Sequence, residues 1–191
     1  NASGNFLKIT NGGTNFALAI NPQSSAQGIY IKANSNNTAL QVNGGKSEFH
    51  DKVYFKKKIF IQGGQGDLSE NYHYQGQLEA GDVAVIAGTS SQTVERCEQK
   101  YDTRAVGIIA EDPSMLLNGE VEDGDIAPVA LVGRVPCKVD AGYGSIEPGD
   151  LLTTSPTPGH AMVVDNRSQA VGAIIGKALE AKRSGRGKIM A

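Results

Sequence analysis

The residues of this chain that could carry chemistry are few and widely spaced. Ser155 and His160 sit five apart in "TTSPTPGHAM" (153–162), close enough to suggest a nucleophile and its base. No Gly-x-Ser-x-Gly elbow surrounds Ser155, however, and no third group is placed to orient the imidazole. Cys97 and Cys137 lie forty residues apart with no CxxC pair, and His50, His73 and His160 are scattered. That pattern spaces neither a thiol–imidazole pair nor a tetrahedral zinc set. Two free, partly buried thiols are expected, with a disulfide as the alternative. Glycoside hydrolysis needs two carboxylates about 5–9.5 Å apart. Glu111, Asp112, Glu120, Glu122 and Asp123 supply the acids, but spacing places no pair. Asp82, Asp125 and Asp150 each follow a glycine. Calcium or acid catalysis is one reading of them, and hydrogen bonding to a turn backbone is sufficient. The reading is therefore non-enzymatic, with no cofactor and no metal.

Flat, amphipathic side chains suited to a glycan or protein surface are the better candidates. They are Tyr72, His73 and Tyr74 in "ENYHYQG", Tyr143 in "DAGYGSIE" and His160 in "SPTPGHAM". All are expected on loops of residues 65–191, because loops on a rigid scaffold commonly hold binding residues. The competing reading is that these aromatics only pack.

What must position them is a chain of two halves. Residues 1–64 hold seven Lys against two acids, about +5, which leaves about −7 of the overall −2 charge for residues 65–191. "QGGQGD" (62–67) at the change reads as a hinge or turn, so the domains are drawn as 1–64 and 65–191. A net charge of −2 offers no general attraction to nucleic acid, and no apolar run nears the roughly 20 residues that span a bilayer. Lys56, Lys57 and Lys58 read as a solvated edge rather than a nucleic-acid patch. The ends, "NASGNF" and "GRGKIMA", read as the interior of a repeat and of a strand, so a longer parent chain is expected.

In the first half Leu7, Leu18, Ile29 and Leu40 fall eleven residues apart, as do Ile9, Ile20, Ile31, Val42 and Val53. "FLKIT", "LAI", "GIYIK" and "ALQVN" alternate as half-buried strands, and Asn-, Gly-, Pro- and Ser-rich turns join them. Each repeat offers two inward apolar side chains, too few to close a core within one chain. A short fixed period means stacking. Three chains, each giving one strand per layer, would close it, while an antiparallel meander is the plainer alternative.

The second half echoes itself. "LEAGDVAVIAG" (78–88) is followed by "RAVGIIAED" (104–112), and "IEPGDLLTTSP" (146–156) by "QAVGAIIGKALE" (169–180). Matching Gly81 to Gly149 and Gly107 to Gly172 gives an approximate duplication. "VEDGDIAPVALVGRVPCKV" opens a long strand pair between the two. "SQTVERCEQKY" (91–101) is either helical or an exposed hairpin arm. "DPSMLLNG" (112–119), with Asp-Pro at its start and Gly at its end, predicts one or two helical turns.

The stretch "RAVGIIAEDPSMLLNG…DIAPVALVGRVPCKVDAGYGSIEPGDLLTTSPTPGHAMVV…AVGAIIGKALE…GKIM" resembles the C-terminal module of phage tail-fibre-like proteins and of related bacterial surface and injection-system fibre proteins. The similarity spans roughly residues 78–191, and "GIYIKANSNNTALQVNGG" is similar to repeats in which such fibres stack three chains. The resemblance implies an all-β homotrimer: a repetitive β shaft, then a compact β-rich tip that caps the shaft, binds a surface, or both. It implies a virion or extracellular particle, self-association as the partner, and attachment to a cell-surface glycan or protein receptor. Some related fibre ends act as intramolecular chaperones that cleave themselves, but no cleavage motif here matches residue by residue. A self-cleaving chaperone, a glycan hydrolase and a purely structural connector remain the alternatives.

Overall fold

The computed structural model describes residues 47, 49, 53–56, 59–88, 92–118 and 125–191. The eleven-residue repeats and Lys57–Lys58 lie outside the described residues. The chain divides into two units, Asn1–Lys56 and Lys57–Ala191. In the second unit the described elements are eleven β-strands and one 3₁₀ turn, so the architecture is all-β.

Two sheets share one core. The first contains β1 (Asp67–Tyr74), β2 (Val83–Ile86), β3 (Thr93–Arg96), β4 (Ala105–Ile109), β5 (Met115–Leu117) and β6 (Ile126–Gly133). Its order is β3-β2-β4-β6-β1-β5, and β1 also pairs with β3, which closes a barrel and leaves β5 as an added edge. The second contains β7 (Pro136–Asp140), β8 (Leu151–Thr154), β9 (Ala161–Val163), β10 (Ile174–Lys177) and β11 (Arg186–Met190), in the order β10-β8-β9-β7-β11.

The apolar run "VAVIA" takes no alternation because β2 is covered on both faces. Val83 and Val85 join Cys97, Ile108, Cys137, Val139, Ile146, Leu152 and Ile189 in the core shared by the two sheets. Ala84 faces the other way, into the barrel with Val94, Ile109, Ala127 and Val129. Each fully buried aliphatic side chain contributes roughly 1.5–3 kcal/mol relative to exposure. The shared core is therefore the main bond between the sheets.

The duplication is real, and its register differs from the sequence match. The repeated unit is a strand triplet, β2-β3-β4 and then β8-β9-β10. In the first, Val83 pairs with Ile108 and Ala84 with Gly107, and the ladder then skips to Val85 and Ala105. In the second, Leu151 pairs with Lys177 and Leu152 with Gly176, then Thr153 with Ile174. Gly107 thus corresponds to Gly176, and the bulged residues are Val106 and Ile175. Gly172, the partner the sequence echo suggests, lies in the preceding turn with φ +81°. "AVGAIIG" holds two glycines, and strand pairing selects the later one.

Three other expectations change. "DPSMLLNG" forms no helix: Met115–Leu117 is strand β5, paired in parallel with Leu68–Glu70 of β1. Ser114 N–H donates to Asp67, and Asn118 adopts φ +53°, so the segment is held extended by its neighbours despite its cap-like ends. "SQTVERCEQKY" takes the hairpin-arm reading as β3, antiparallel to β2, but the arm is not exposed, with Val94 in the barrel core. The long strand pair is not a pair, because β6 belongs to the barrel and β7 to the second sheet. Arg134 and Val135 carry the chain from one to the other.

Candidate binding surface

One Gly-Asp turn opens each triplet, and the two turns are built alike. Asp82 accepts the Glu79 N–H at 2.9 Å, and Asp150 accepts the Glu147 N–H at 2.8 Å. Gly81 N–H donates to Ile109 and Ile109 N–H to Asp82, while Gly149 N–H donates to Ala178 and Ala178 N–H to Asp150. Both aspartates therefore do turn chemistry, as read from sequence. Asp82 has a second task. It is buried and takes Lys138 Nζ at 2.7 Å, and Glu79 takes the same ammonium at 2.8 Å. Burial opposes the charge on Lys138, but the hydrogen bonds it donates to Asp82 and Glu79 hold its pKa above the usual lysine value.

The candidate aromatics fall in two places. Tyr72, His73 and Tyr74 are not on a loop but on β1. Tyr72 and Tyr74 pack against the barrel core, and burial, with the Glu70 carboxylate beside it, pushes the Tyr72 phenol up. His73 N–H donates to the Gln92 carbonyl at 3.1 Å. "YHYQ" alternates as a strand does, and the neighbouring Gln and Gly obscured that.

Tyr143 and His160 do not touch; both are tied to Thr157, in the loop between β8 and β9. Asp140 ends β7 and caps the 3₁₀ turn Ala141–Tyr143 by accepting Gly142 N–H at 2.9 Å. Its other oxygen takes the Thr157 hydroxyl at 2.6 Å and Arg186 Nε at 3.1 Å. The Thr157 hydrogen bond, with those from Gly142 and Arg186, holds the Asp140 carboxyl below the usual carboxylate range. Thr157 Oγ1 lies 3.5 Å from the Tyr143 hydroxyl, and the Thr157 carbonyl accepts His160 N–H at 3.0 Å. The Tyr143 ring is exposed.

Ser155 and His160 are neighbours without being a catalytic pair. The Ser155 hydroxyl is buried and donates to the His160 carbonyl at 2.8 Å, while His160 Nδ1 faces the Pro158 carbonyl at 2.8 Å. The loop is pinned from below. Gly159 has φ +71°, and a Cβ there would overlap the Asp82 carboxylate. Cys97 and Cys137 are both free and fully buried, more so than expected. Burial pushes the Cys97 thiol up to about 11 and raises Cys137 further, so neither offers a thiolate at neutral pH. Among the described residues no group of three or more His, Cys, Asp or Glu is placed to hold a metal, and no helix is long and apolar enough to cross a membrane.

Two features escaped the sequence. Tyr101, a non-glycine residue at φ +58°, receives the N–H groups of Asp165 and Asn166 on its hydroxyl and donates to the Asp165 carboxylate. Lys100 Nζ joins Asp165 at 2.9 Å, which, with the Tyr101 hydroxyl, keeps that carboxyl low. The second is a groove of about 370 Å³ beside the end of β1 and the outer side of β3. Its residues come from two stretches, 75–77 and 95–104, and the parallel pairing of β1 with β3 brings the two together.

No family model and no curated protein matches the chain. Among solved structures the chain is similar to the head fiber gp8.5 N base of bacteriophage phi29, at 20% identity and a TM-score of 0.37, over 64% of this chain and 89% of that one. Likeness at that level supports no conclusion about this chain.

Proposed function

We propose that this chain is the structural and receptor-binding tip of a homotrimeric fibre on a phage or phage-like particle, with residues 1–64 as shaft and 65–191 as the tip that meets a cell surface. The observation that carries the reading is where apolar surface is left uncovered. Met115, Leu116 and Leu117 on edge strand β5, Leu131 and Val132 at the end of β6, and Ile59, Phe60 and Ile61 are all exposed, Phe60 at 87% and Val132 at 69%. Patches of this kind mark interaction sites. The segment 59–61 follows the eleven-residue repeats, each expected from its sequence to turn two apolar side chains inward, a need that a second and third copy would meet. The tip's part in attachment is supported by the exposed Tyr143 above a loop stiffened by Pro156 and Pro158.

Light scattering at micromolar concentration tests the first half: a trimer near three times 20.0 kDa is expected, and a monomer ends the proposal. Target-cell binding measured beside thermal melting tests the second. Tyr143→Ala is expected to weaken binding with melting unchanged, whereas Tyr72→Ala and Tyr74→Ala are expected to lower melting. Retained binding by Tyr143→Ala removes that residue from the receptor surface.

A further inference from the structure

We infer that the groove beside β1 and β3 binds an uncharged, hydroxyl-rich ligand: about one or two rings of a neutral saccharide. The inference rests on the attachment reading above and names the chemistry of what is attached to. The floor of the groove is fixed before any ligand arrives. Arg104 is held by Asp102, Nε at 3.1 Å and Nη2 at 2.7 Å, and its Nη1 reaches Glu95 at 3.3 Å. The second Glu95 oxygen accepts the Gln75 side-chain amide at 2.7 Å. Gln75 is itself anchored, its N–H donating to the Val94 carbonyl at 3.0 Å.

The lining discriminates by charge. Glu95 and Glu98 line the groove together with Arg96 and Arg104, so the formal charges cancel. An incoming anion would compete with Asp102 and Glu95 for Arg104. An incoming cation would meet two guanidinium groups, with one carboxylate already occupied. The Asp102 side chain is only 6% exposed, so drawing Arg104 away would leave a buried carboxylate uncompensated, which costs more than the new contact returns. A neutral polyol meets neither objection. The exposed Gln77 and Gln99 each present an amide donor and an amide acceptor side by side. Vicinal hydroxyls ask for that combination, since each donates and accepts. A volume of about 370 Å³ is at the small end of the roughly 300–1,000 Å³ of ligand pockets, which suits a short saccharide rather than a peptide.

The test is saturation-transfer NMR and calorimetry on the whole chain with a panel of methyl pyranosides and their disaccharides, a hexuronic acid and glucosamine. At least one neutral member is expected to bind in the millimolar range, with both charged sugars weaker. The Gln77→Ala/Gln99→Ala double variant removes two exposed side chains and is expected to fold normally and bind at least about fivefold more weakly. No binding by any neutral sugar overturns the inference. So does a hexuronate that binds tighter than every neutral member, or glucosamine doing so, or a double variant that binds as well as the parent. Cell binding separates this from the attachment reading. If the double variant attaches to cells as the parent does, the groove is not the receptor site and attachment stands. If the parent itself does not attach, the attachment reading falls and the sugar titration still decides the groove.

Discussion

The two triplets, β2-β3-β4 and β8-β9-β10, share a turn, a bulge and a pattern of main-chain hydrogen bonds, yet they sit in different surroundings. Asp82 and Asp150 cap equivalent turns at nearly equal distances. Asp82 is sealed in the core against Lys138 of β7, while Asp150 is half-buried with the Glu147 N–H as its side-chain partner. Gly107 and Gly176 occupy the same rung. A Cβ on Gly107 would overlap the Ala130 carbonyl and lie 2.8 Å from Val129 Cγ1, whereas one on Gly176 would meet nothing within 4 Å. The difference arises because β4 is flanked by β6 and β10 is an edge strand. Local sequence builds the same hairpin twice, and what packs against it decides which residues are indispensable.

The sharpest test substitutes the paired aspartates. Asp82→Ala leaves Lys138 beside a lone, exposed Glu79 and is expected to cost about 3–5 kcal/mol. Asp150→Ala gives up one side-chain-to-backbone hydrogen bond and is expected to cost about 0.5–1.5 kcal/mol. Equal losses in urea unfolding would mean that the turn alone matters. Next comes the glycine rung. Gly107→Ala is expected to cost about 1–3 kcal/mol from overpacking, and Gly176→Ala is expected to be close to neutral. If both are neutral, β4 and β6 are less closely packed than described.

Smaller effects come from titration. Hydrogen bonds from Arg104 hold the Asp102 carboxyl below its usual range. A lowered folded pKa means stability that is present above the unfolded value of about 3.9 and is lost as pH falls through the folded value. Arg104→Met is therefore expected to weaken the acid dependence of melting below about pH 4, and an unchanged acid limb counts against the pairing. On the alkaline side the sign reverses. The Cys97 thiol, raised to about 11, contributes stability that is complete below the unfolded value of about 8.5 and is lost as pH climbs toward 11. At pH 8 both thiols are expected to resist a thiol reagent until the chain unfolds. Rapid labelling of the folded protein would show that the shared core opens.

Much of the second unit was legible because its turns advertise themselves. The Gly-Asp pairs at 81–82 and 149–150 marked β2 and β8, and the apolar runs after them gave the strands. Register was not legible, because Gly172 and Gly176 are both plausible partners for Gly107 until the ladder is seen. Partnership was not legible either. β5 looked like a helix because Asp112, Pro113 and Gly119 are helix punctuation, and its pairing with β1 overrode them. Tyr72 and Tyr74 looked like loop residues because Gln and Gly follow them. The groove was beyond reach, since Gln75, Glu95 and Arg104 converge only through the closure of the barrel.

That closure is thin. β1 and β3 share two registered pairs, His73 with Thr93 and Tyr74 with Val94, whereas β1 and β6 share seven. Opening free energies vary across a native fold, and a short ladder has the fewest rungs to break. With the equally short β4–β6 ladder, this seam is one of two places where the barrel would breathe first, and the amides of His73 and Gln75, which bond across it, would exchange with solvent ahead of those on β2. The Gln75 amide is also an anchor of the groove floor. A ligand seated there would act as a clasp on the seam, slowing that exchange, so the wall of the barrel and its occupant would set each other's lifetime.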